Sequence, residues 1–494
     1  MNADARQAAL VDAWRATLGE PTTLVETHIS RLVLGATRVW KFKRPVTLPF
    51  VDYAPPAARA HFCEEELRLN RRLAPDLYLD VLHLPEEAAV VMKRFPDGAL
   101  WSEQLAAGTL THAHVDRLAA RLGAFHLAAA AAPAGQGFGS VAERRAEALD
   151  AVRSLAGAVP EAARAELEAW FDAEAARLAP LWAQRQAAGC VRECHGDLHL
   201  RNLLVIGDEA FAFDGIEFND RLRFIDITDD IAFAAMDLQA HGRRDLAFRL
   251  LDRWLEATGD HAGLPALRFA MAYRATVRAE VSVLQGAAAD AQRYLATALA
   301  IARRADARLL VTHGLPGAGK STLAGALLEA AGAVRLRSDV ERKRLAGLDA
   351  NADSHSAGRA IYGEDLTERT YAELLRRAAP ALDAGWPVIL DAAYLRRAQR
   401  DAAATFAADR GLPFAILDCA APLPVLRLRV AARQARGGDA SEADVGVLEH
   451  LHQAQEPLVA DERARTLVAD STGPFDAEAA DAAWRRCGPP FTTR

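Results

Sequence analysis

Lysine is nearly absent from this chain. Of 59 basic residues among 494, only Lys41, Lys43, Lys93, Lys320 and Lys343 are lysines. A planar guanidinium does not replace a compact, rotatable ammonium where geometry matters, so these five positions mark places to inspect. Cysteine is scarce as well. Cys63, Cys190, Cys194, Cys419 and Cys487 are odd in number and irregularly spaced, which argues against a disulfide frame and for reduced thiols in a cytoplasm. No apolar run approaches the ~20 residues that a membrane helix needs. The polar opening MNADARQ predicts no secretory signal. A net charge of −7 gives no bulk reason to expect duplex DNA as a partner. No internal repeat is evident.

What the chain does have is two grammars. Its length implies two or three domains. Early on, β-like runs at 31–34, 38–42, 81–84 and 89–92 surround one helix at about 57–74. Ala-, Leu- and Glu-rich helical stretches follow, for example 111–130 and 161–188. Two short strands, 203–207 and 210–214, interrupt them, and helices resume over about 226–304. Few, early strands and later helices fit a small sheet-containing lobe on a larger helical lobe. From about 305 the runs 309–314, 333–338, 387–392, 414–419 and 466–470 alternate with helical stretches, which predicts a parallel sheet covered on both faces. The expected division is 1–304, with a small lobe at about 20–95 and a helical lobe at about 96–304, and then 305–494.

The stretch GLPGAGKST (314–322) lies between a predicted strand and a predicted helix, where G-x-x-x-x-G-K-[ST] has a mechanism. Backbone N–H groups of Gly314, Gly317, Gly319 and the helix start are expected to face phosphate oxygens, with Pro316 shaping the turn. Ala318 and Thr322 belong to the same cradle, and the helix N-terminus adds its dipole. Lys320 would reach the β- and γ-phosphates and Ser321 would place its hydroxyl on Mg²⁺. VILDA (388–392) ends a further apolar strand in Asp391, the natural place for a carboxylate supporting that Mg²⁺ from behind its direct ligands. This half, with RSDVERKR at 337–344, resembles nucleoside- and polynucleotide-kinase-like P-loop kinases and the zeta-toxin group over most of 309–470. The resemblance implies that Asp339 orients or deprotonates an acceptor hydroxyl and that Arg342 binds an anion nearby. It also implies that Arg429, Arg433 and Arg436 on one helix act as a lid, where arginines screen a transferring phosphoryl group.

CHGDLHLRN (194–202) admits three readings. As a metal site, Cys190, Cys194, His195 and His199 have the spacing C-x₃-C-H-x₃-H, too tight for a zinc finger, and adjacent Cys194 and His195 strain joint ligation. As a polar turn it would carry no chemistry. As a phosphotransfer loop it needs H-x-D-x-x-x-x-N, an apolar strand pair and a further Asp, and His195, Asp197, Asn202 and Asp214 supply them. Asp197 would accept the proton of the attacking hydroxyl. Asn202 and Asp214 would hold Mg²⁺ beside ATP phosphates with the hard oxygens that this ion prefers.

Together these residues resemble the aminoglycoside phosphotransferase and choline/homoserine kinase group, a branch of the protein-kinase-like fold, over about 20–300. The resemblance implies upstream parts. RVWKFK (38–43) offers Lys41 and Lys43 for the phosphates, Lys41 being preferred. On the helix after it, Glu66 shares the buried face with Phe62, Leu69 and Leu73, so Glu66 is its expected partner and Glu65 the fallback. MKRF (92–95) would be the adenine hinge. A full G-x-G-x-x-G loop is missing, as it often is in this group, LVLGAT offering only Gly35, and GIEFND follows Asp214 where protein kinases have Phe-Gly. Glu217 and Asp220 are open between ligand contacts and ion pairs. RFIDITDDIAF (223–233) matches the segment that buttresses the catalytic loop in this group.

The expected fold is therefore an α+β two-lobed protein-kinase-like domain followed by an α/β P-loop NTPase domain. The expected function is a bifunctional, cytoplasmic ATP- and Mg²⁺-dependent kinase acting on small-molecule hydroxyls. One rival is an ATP-sensing regulator with a single catalytic half. Another is a 5′-hydroxyl nucleic-acid kinase, disfavoured because few aromatics lie near the arginines for base stacking.

Overall fold

In the computed structural model, which describes residues 2–48, 51–349, 352, 363–436 and 440–490, the chain forms two units. The first comprises Met1–Ala240 and Phe269–Leu299, the second His241–Arg268 and Ala300–Arg494. Among the described residues no helix is long and apolar enough to cross a membrane.

The first unit opens with an antiparallel sheet ordered Thr23–Glu26, Ser30–Leu34, Arg38–Lys43, Ala88–Lys93, Tyr78–His83. Side chains alternate along the strand Arg38–Lys43. Trp40 and Phe42 pack with Val33 and Val11 on one face, whereas Val39 packs with Cys63 and Leu67 on the other. That alternation carries Lys41 and Lys43 to the side of the helix Pro56–Asn70. The predicted helices appear as His112–Ala128 and Glu161–Ala187, and the predicted hairpin as Leu203–Ile206 with Glu209–Ala212. Two features escape a periodicity reading. Thr23–Glu26 is short and largely exposed, and the three-residue strands Val191–Glu193 and Phe224–Asp226 pair across more than thirty positions of chain. Such pairs are too short to show a period.

In the second unit all five expected strands form. They lie in the order Val334–Arg337, Pro387–Asp391, Arg308–His313, Phe414–Ala420, Thr466–Asp470, every neighbour parallel. A cut at 305 does not describe this unit, because His241–Arg268 packs with it. The packing includes a buried ion pair. Asp252 of the helix Arg244–Thr258 receives both arms of Arg335, at 3.1 and 2.6 Å, and Glu256 one turn on pairs with Arg337 at 3.2 Å. Trp386 Nε1 donates to the Leu264 carbonyl at 3.2 Å. Helical periodicity carries no record of which sheet a helix will cover.

Candidate active sites

In the first unit one buried carboxylate serves two ammoniums. Glu66 Oε1 accepts from Lys41 Nζ at 2.9 Å and Oε2 from Lys43 Nζ at 2.7 Å. The alternatives point elsewhere: Glu64 meets His83 at 2.8 Å and Glu65 pairs with Arg68 at 2.8 Å. Lys41 also pairs with Asp214 and keeps 12 % side-chain exposure, whereas Lys43 is 1 % exposed, enclosed by Glu66 and Glu217. Burial would depress both ammoniums, but Asp214 and Glu66 around Lys41, and Glu217 and Glu66 around Lys43, outweigh it and hold both above their ordinary value. Both lysines stay charged, and Lys41 is the one that reaches the hairpin.

Glu217 is thus an ion-pair residue. It also accepts the Tyr53 hydroxyl at 2.5 Å, and Asp220 pairs with Arg223 at 2.5 Å. Glu217→Gln keeps the Tyr53 contact but removes the charge facing Lys43. It is expected to cost about 1–3 kcal/mol, read as a lower urea midpoint at unchanged slope.

The loop 194–202 is shaped from behind. Gly196 has φ +86°, and a Cβ there would lie 2.6 Å from the Leu222 carbonyl oxygen, so only glycine fits. Asp230, fully buried, accepts the N–H of His195 at 3.0 Å and of Gly196 at 2.8 Å, and its Oδ2 meets His126 Nε2 at 3.0 Å. Burial pushes its carboxyl up, but the contacts from His126 and the His195 backbone overcome this and hold it at about 2. Asp237 accepts the Leu200 N–H at 2.8 Å and the Tyr294 hydroxyl at 2.7 Å. His195 Nε2 lies 2.9 Å from the Phe213 carbonyl, tying the loop to the hairpin.

Held this way, the expected acid and amide meet. Asn202 Nδ2 donates to the Asp197 carbonyl and to its Oδ2, both at 2.9 Å, which leaves Asn202 Oδ1 as the uncommitted edge of the amide. Asp214 sits at φ +61°, a conformation tolerated by Asp, and its N–H donates to Tyr78 Oη at 3.0 Å. Its carboxylate is 42 % exposed and meets Lys41. The zinc reading does not survive: Cys194 is buried against the Ile225 carbonyl, and His199 Nε2 lies 3.4 Å from Asp197 Oδ2. His126, Cys194 and Asp230 do cluster, but Asp230 is already engaged as the clamp on the loop.

In the second unit the loop after the strand Arg308–His313 opens at Gly314, whose φ is +141° and where a Cβ would come 2.5 Å from the Cys419 carbonyl oxygen. A cavity of about 940 Å³ is lined by Pro316, Gly317, Gly319, Lys320, Ser321 and Thr322, with Asp339 and Asp391 across from them. Arg342, Arg429, Arg433 and Arg436 line it too. Gly314 and Ala318 do not. Their N–H groups bond the Ala393 and Leu315 carbonyls, each at 3.1 Å, so these two residues shape the loop rather than face the hollow. Lys320 Nζ donates to the Leu315 carbonyl at 3.0 Å; burial lowers its pKa, opposed chiefly by Asp391. Asp391 Oδ2 is buried without a hydrogen-bond partner among the described residues, with Arg335 and Arg337 at 3.7 and 3.8 Å. Arg429 reaches the Gly317 carbonyl at 3.2 Å and Ser471 Oγ at 2.7 Å, and Arg433 donates to the Ala443 carbonyl at 2.7 Å. Sequence reasoning missed Arg337, Tyr371 and Arg396 on the cavity wall. For Arg337 a signal existed, since it closes the strand before Asp339.

The donor sets fit a hard divalent cation. Asn202 Oδ1 with the Asp214 carboxylate would hold it in the first unit, and Ser321 Oγ with the orphaned Asp391 oxygen in the second. Of the five lysines, Lys41, Lys43 and Lys320 stand in these sites, Lys343 is buried against Glu442 at 3.0 Å, and Lys93 is exposed.

The fold and sites define a chain that joins a protein-kinase-like part to a P-loop part. Residues 309–458 match the family model described as AAA domain. The chain is 34% identical over 435 residues to the uncharacterized protein Rv2004c of Mycobacterium tuberculosis, covering 84% of this chain and 87% of that one. It belongs to the family of that mycobacterial protein. Solved structures similar to parts of it include a choline/ethanolamine kinase family protein from Mesorhizobium loti, with TM-score 0.38 and 15% identity over 60% of this chain and 95% of that one. Another is a gluconokinase from Sinorhizobium meliloti, with TM-score 0.27 and 22% identity over 37% of this chain and 94% of that one.

Proposed function

We propose that each unit transfers the γ-phosphoryl group of ATP to a hydroxyl of a small-molecule acceptor. The observation that carries this reading is the single cavity in which the P-loop, Asp339, the orphaned Asp391 oxygen and the lid arginines converge. The contact between Asp197 and Asn202, beside the pairing of Lys41 with Glu66 and Asp214, supports it for the first unit. In that unit Asp197 takes the acceptor proton, and Lys41, held by Glu66, steadies the phosphates. In the second, Lys320 neutralises the transferring group, Asp339 orients the acceptor, and Arg433 screens charge from the lid. Mg²⁺, when bound, supplies charge neutralisation on the phosphate oxygens. Positioning and charge stabilisation account for most of such catalysis, because phosphoryl transfer asks little covalent chemistry of the protein.

The test is ADP release from full-length Asp197→Ala and Lys320→Ala variants with sugars, amino alcohols, nucleosides, aminoglycosides and 5′-hydroxyl oligonucleotides. Each variant is expected to lose turnover on a different acceptor. Loss in only one variant would make the other half an ATP sensor. Turnover confined to oligonucleotides would replace the small-molecule reading, and unchanged turnover in both would end it.

A further inference from the structure

Ten arginines are buried among the described residues. Nine of them, Arg31, Arg59, Arg144, Arg185, Arg223, Arg308, Arg335, Arg342 and Arg400, hold an ion pair or a hydrogen bond. Arg274 holds neither among the described residues. It is 6 % exposed, lies over the rings of Phe233 and Tyr273 at 5.0 and 5.5 Å, and has a buried Nε with no partner. A buried guanidinium held by no ion pair or hydrogen bond is among the costlier features a fold can carry.

Arg274 borders a hollow of about 30 Å³ in the first unit, large enough for a water or one small oxyanion group and too small for a ring. Four other charged residues on its wall are paired. Arg144 pairs with Asp229 at 2.8 Å, and Arg221 pairs with Glu143. Arg274 and Glu147 are left over. Burial, reinforced by Glu143 and Asp229 against the pull of Arg274 and Arg144, pushes the Glu147 carboxyl up to about 7. Near neutrality it therefore carries a proton for much of the time and can donate rather than repel. The hollow also adjoins the loop that bears Asp197, because Leu222 lines it and its carbonyl packs against Gly196.

We propose that this hollow is an anion subsite for the first unit's phosphate acceptor, taking an acceptor-borne carboxylate or phosphate group on Arg274 beside Glu147. The proposal rests on reading that unit as a phosphotransferase. The same chemistry would hold a free small anion, so the test separates the two sources.

Thermal unfolding of the full-length protein is followed at constant ionic strength with glycerate and glycerol 3-phosphate as hydroxyl-bearing anions. Acetate and inorganic phosphate serve as free anions and glycerol as the uncharged control. The hydroxyl-bearing anions are expected to raise the unfolding temperature by equal steps per tenfold concentration above their Kd, more than the free anions do, with no effect from glycerol. In Arg274→Met that rise vanishes, and without added anion the variant is at least as stable as the parent, because an unpaired buried charge is gone. Arg274→Lys, which keeps a charge, retains part of the rise. Equal shifts from all four anions assign the hollow to a free anion and overturn the acceptor subsite. A shift that persists in Arg274→Met, or no shift from any anion, overturns the site itself. Asp197→Asn keeps the thermal shift; loss of turnover there bears on the transfer reading and not on this one.

Discussion

Asp197→Asn is expected to lower acceptor-dependent ADP release by the first unit about 10²–10⁴-fold, the range that a well-placed general base supplies. The substitution keeps size and shape. It leaves an amide carbonyl to receive the Asn202 Nδ2 hydrogen bond now made at 2.9 Å, so the loop has no reason to move. What disappears is a carboxylate able to take a proton. Its side chain is 34 % exposed, open enough to meet an acceptor. The measurement belongs in a Lys320→Ala background, so that turnover at the P-loop does not mask the loss. KM for ATP should change little, because Asp197 is not among the groups around Lys41. Stability should stay within about 0.5 kcal/mol, as for substitutions that break no buried contact. A variant that turns over normally would remove Asp197 from the chemistry.

Asp230→Ala is expected to cost about 3–5 kcal/mol, the scale for deleting one member of a buried charged network. The loss would leave the His195 and Gly196 N–H groups and His126 without their shared acceptor. The pH dependence follows from the same carboxyl. Its folded value of about 2 lies below the ordinary 3.8, so its contribution is present in full above about pH 4 and drains away as pH falls toward 2. The difference corresponds to about 2 kcal/mol. Asp226 adds to this window: burial would raise it, but the Arg185 guanidinium, with both arms at 2.7 Å, holds it at about 2 as well. Urea unfolding of Asp230→Asn between pH 7 and 2.5 should show a shallower acid loss than the parent. An identical acid profile would place the clamp elsewhere. Reduced turnover should accompany the reduced stability even below the urea transition, since the clamp sets the backbone on which Asp197 stands.

The local order of residues by itself determined a good deal. The P-loop needs glycines at set spacings between a strand and a helix, and H-x-D-x-x-x-x-N followed by a hairpin and Asp214 is similarly local, so both are written consecutively. The three central strands of the parallel sheet were legible because buried strands read as apolar runs, and the edge strands Val334–Arg337 and Thr466–Asp470 by their alternation with helical stretches. Glu66 could be chosen over Glu64 and Glu65 because helical period alone puts it beside Leu69 and Leu73. Tertiary structure decided the rest. It joined Lys41 to Asp214, 173 positions away, and sealed Lys43 behind Glu217. It withdrew Gly314 and Ala318 from the cavity by committing their N–H groups, and it placed His241–Arg268 with the P-loop unit, where Asp252 meets Arg335. It also left Arg274 as the odd member of a set of buried arginines. These outcomes share one cause. Which charges are compensated depends on neighbours brought together across the chain, and a pattern of spacing along it carries no information about which distant carboxylate will meet which cation in the folded interior.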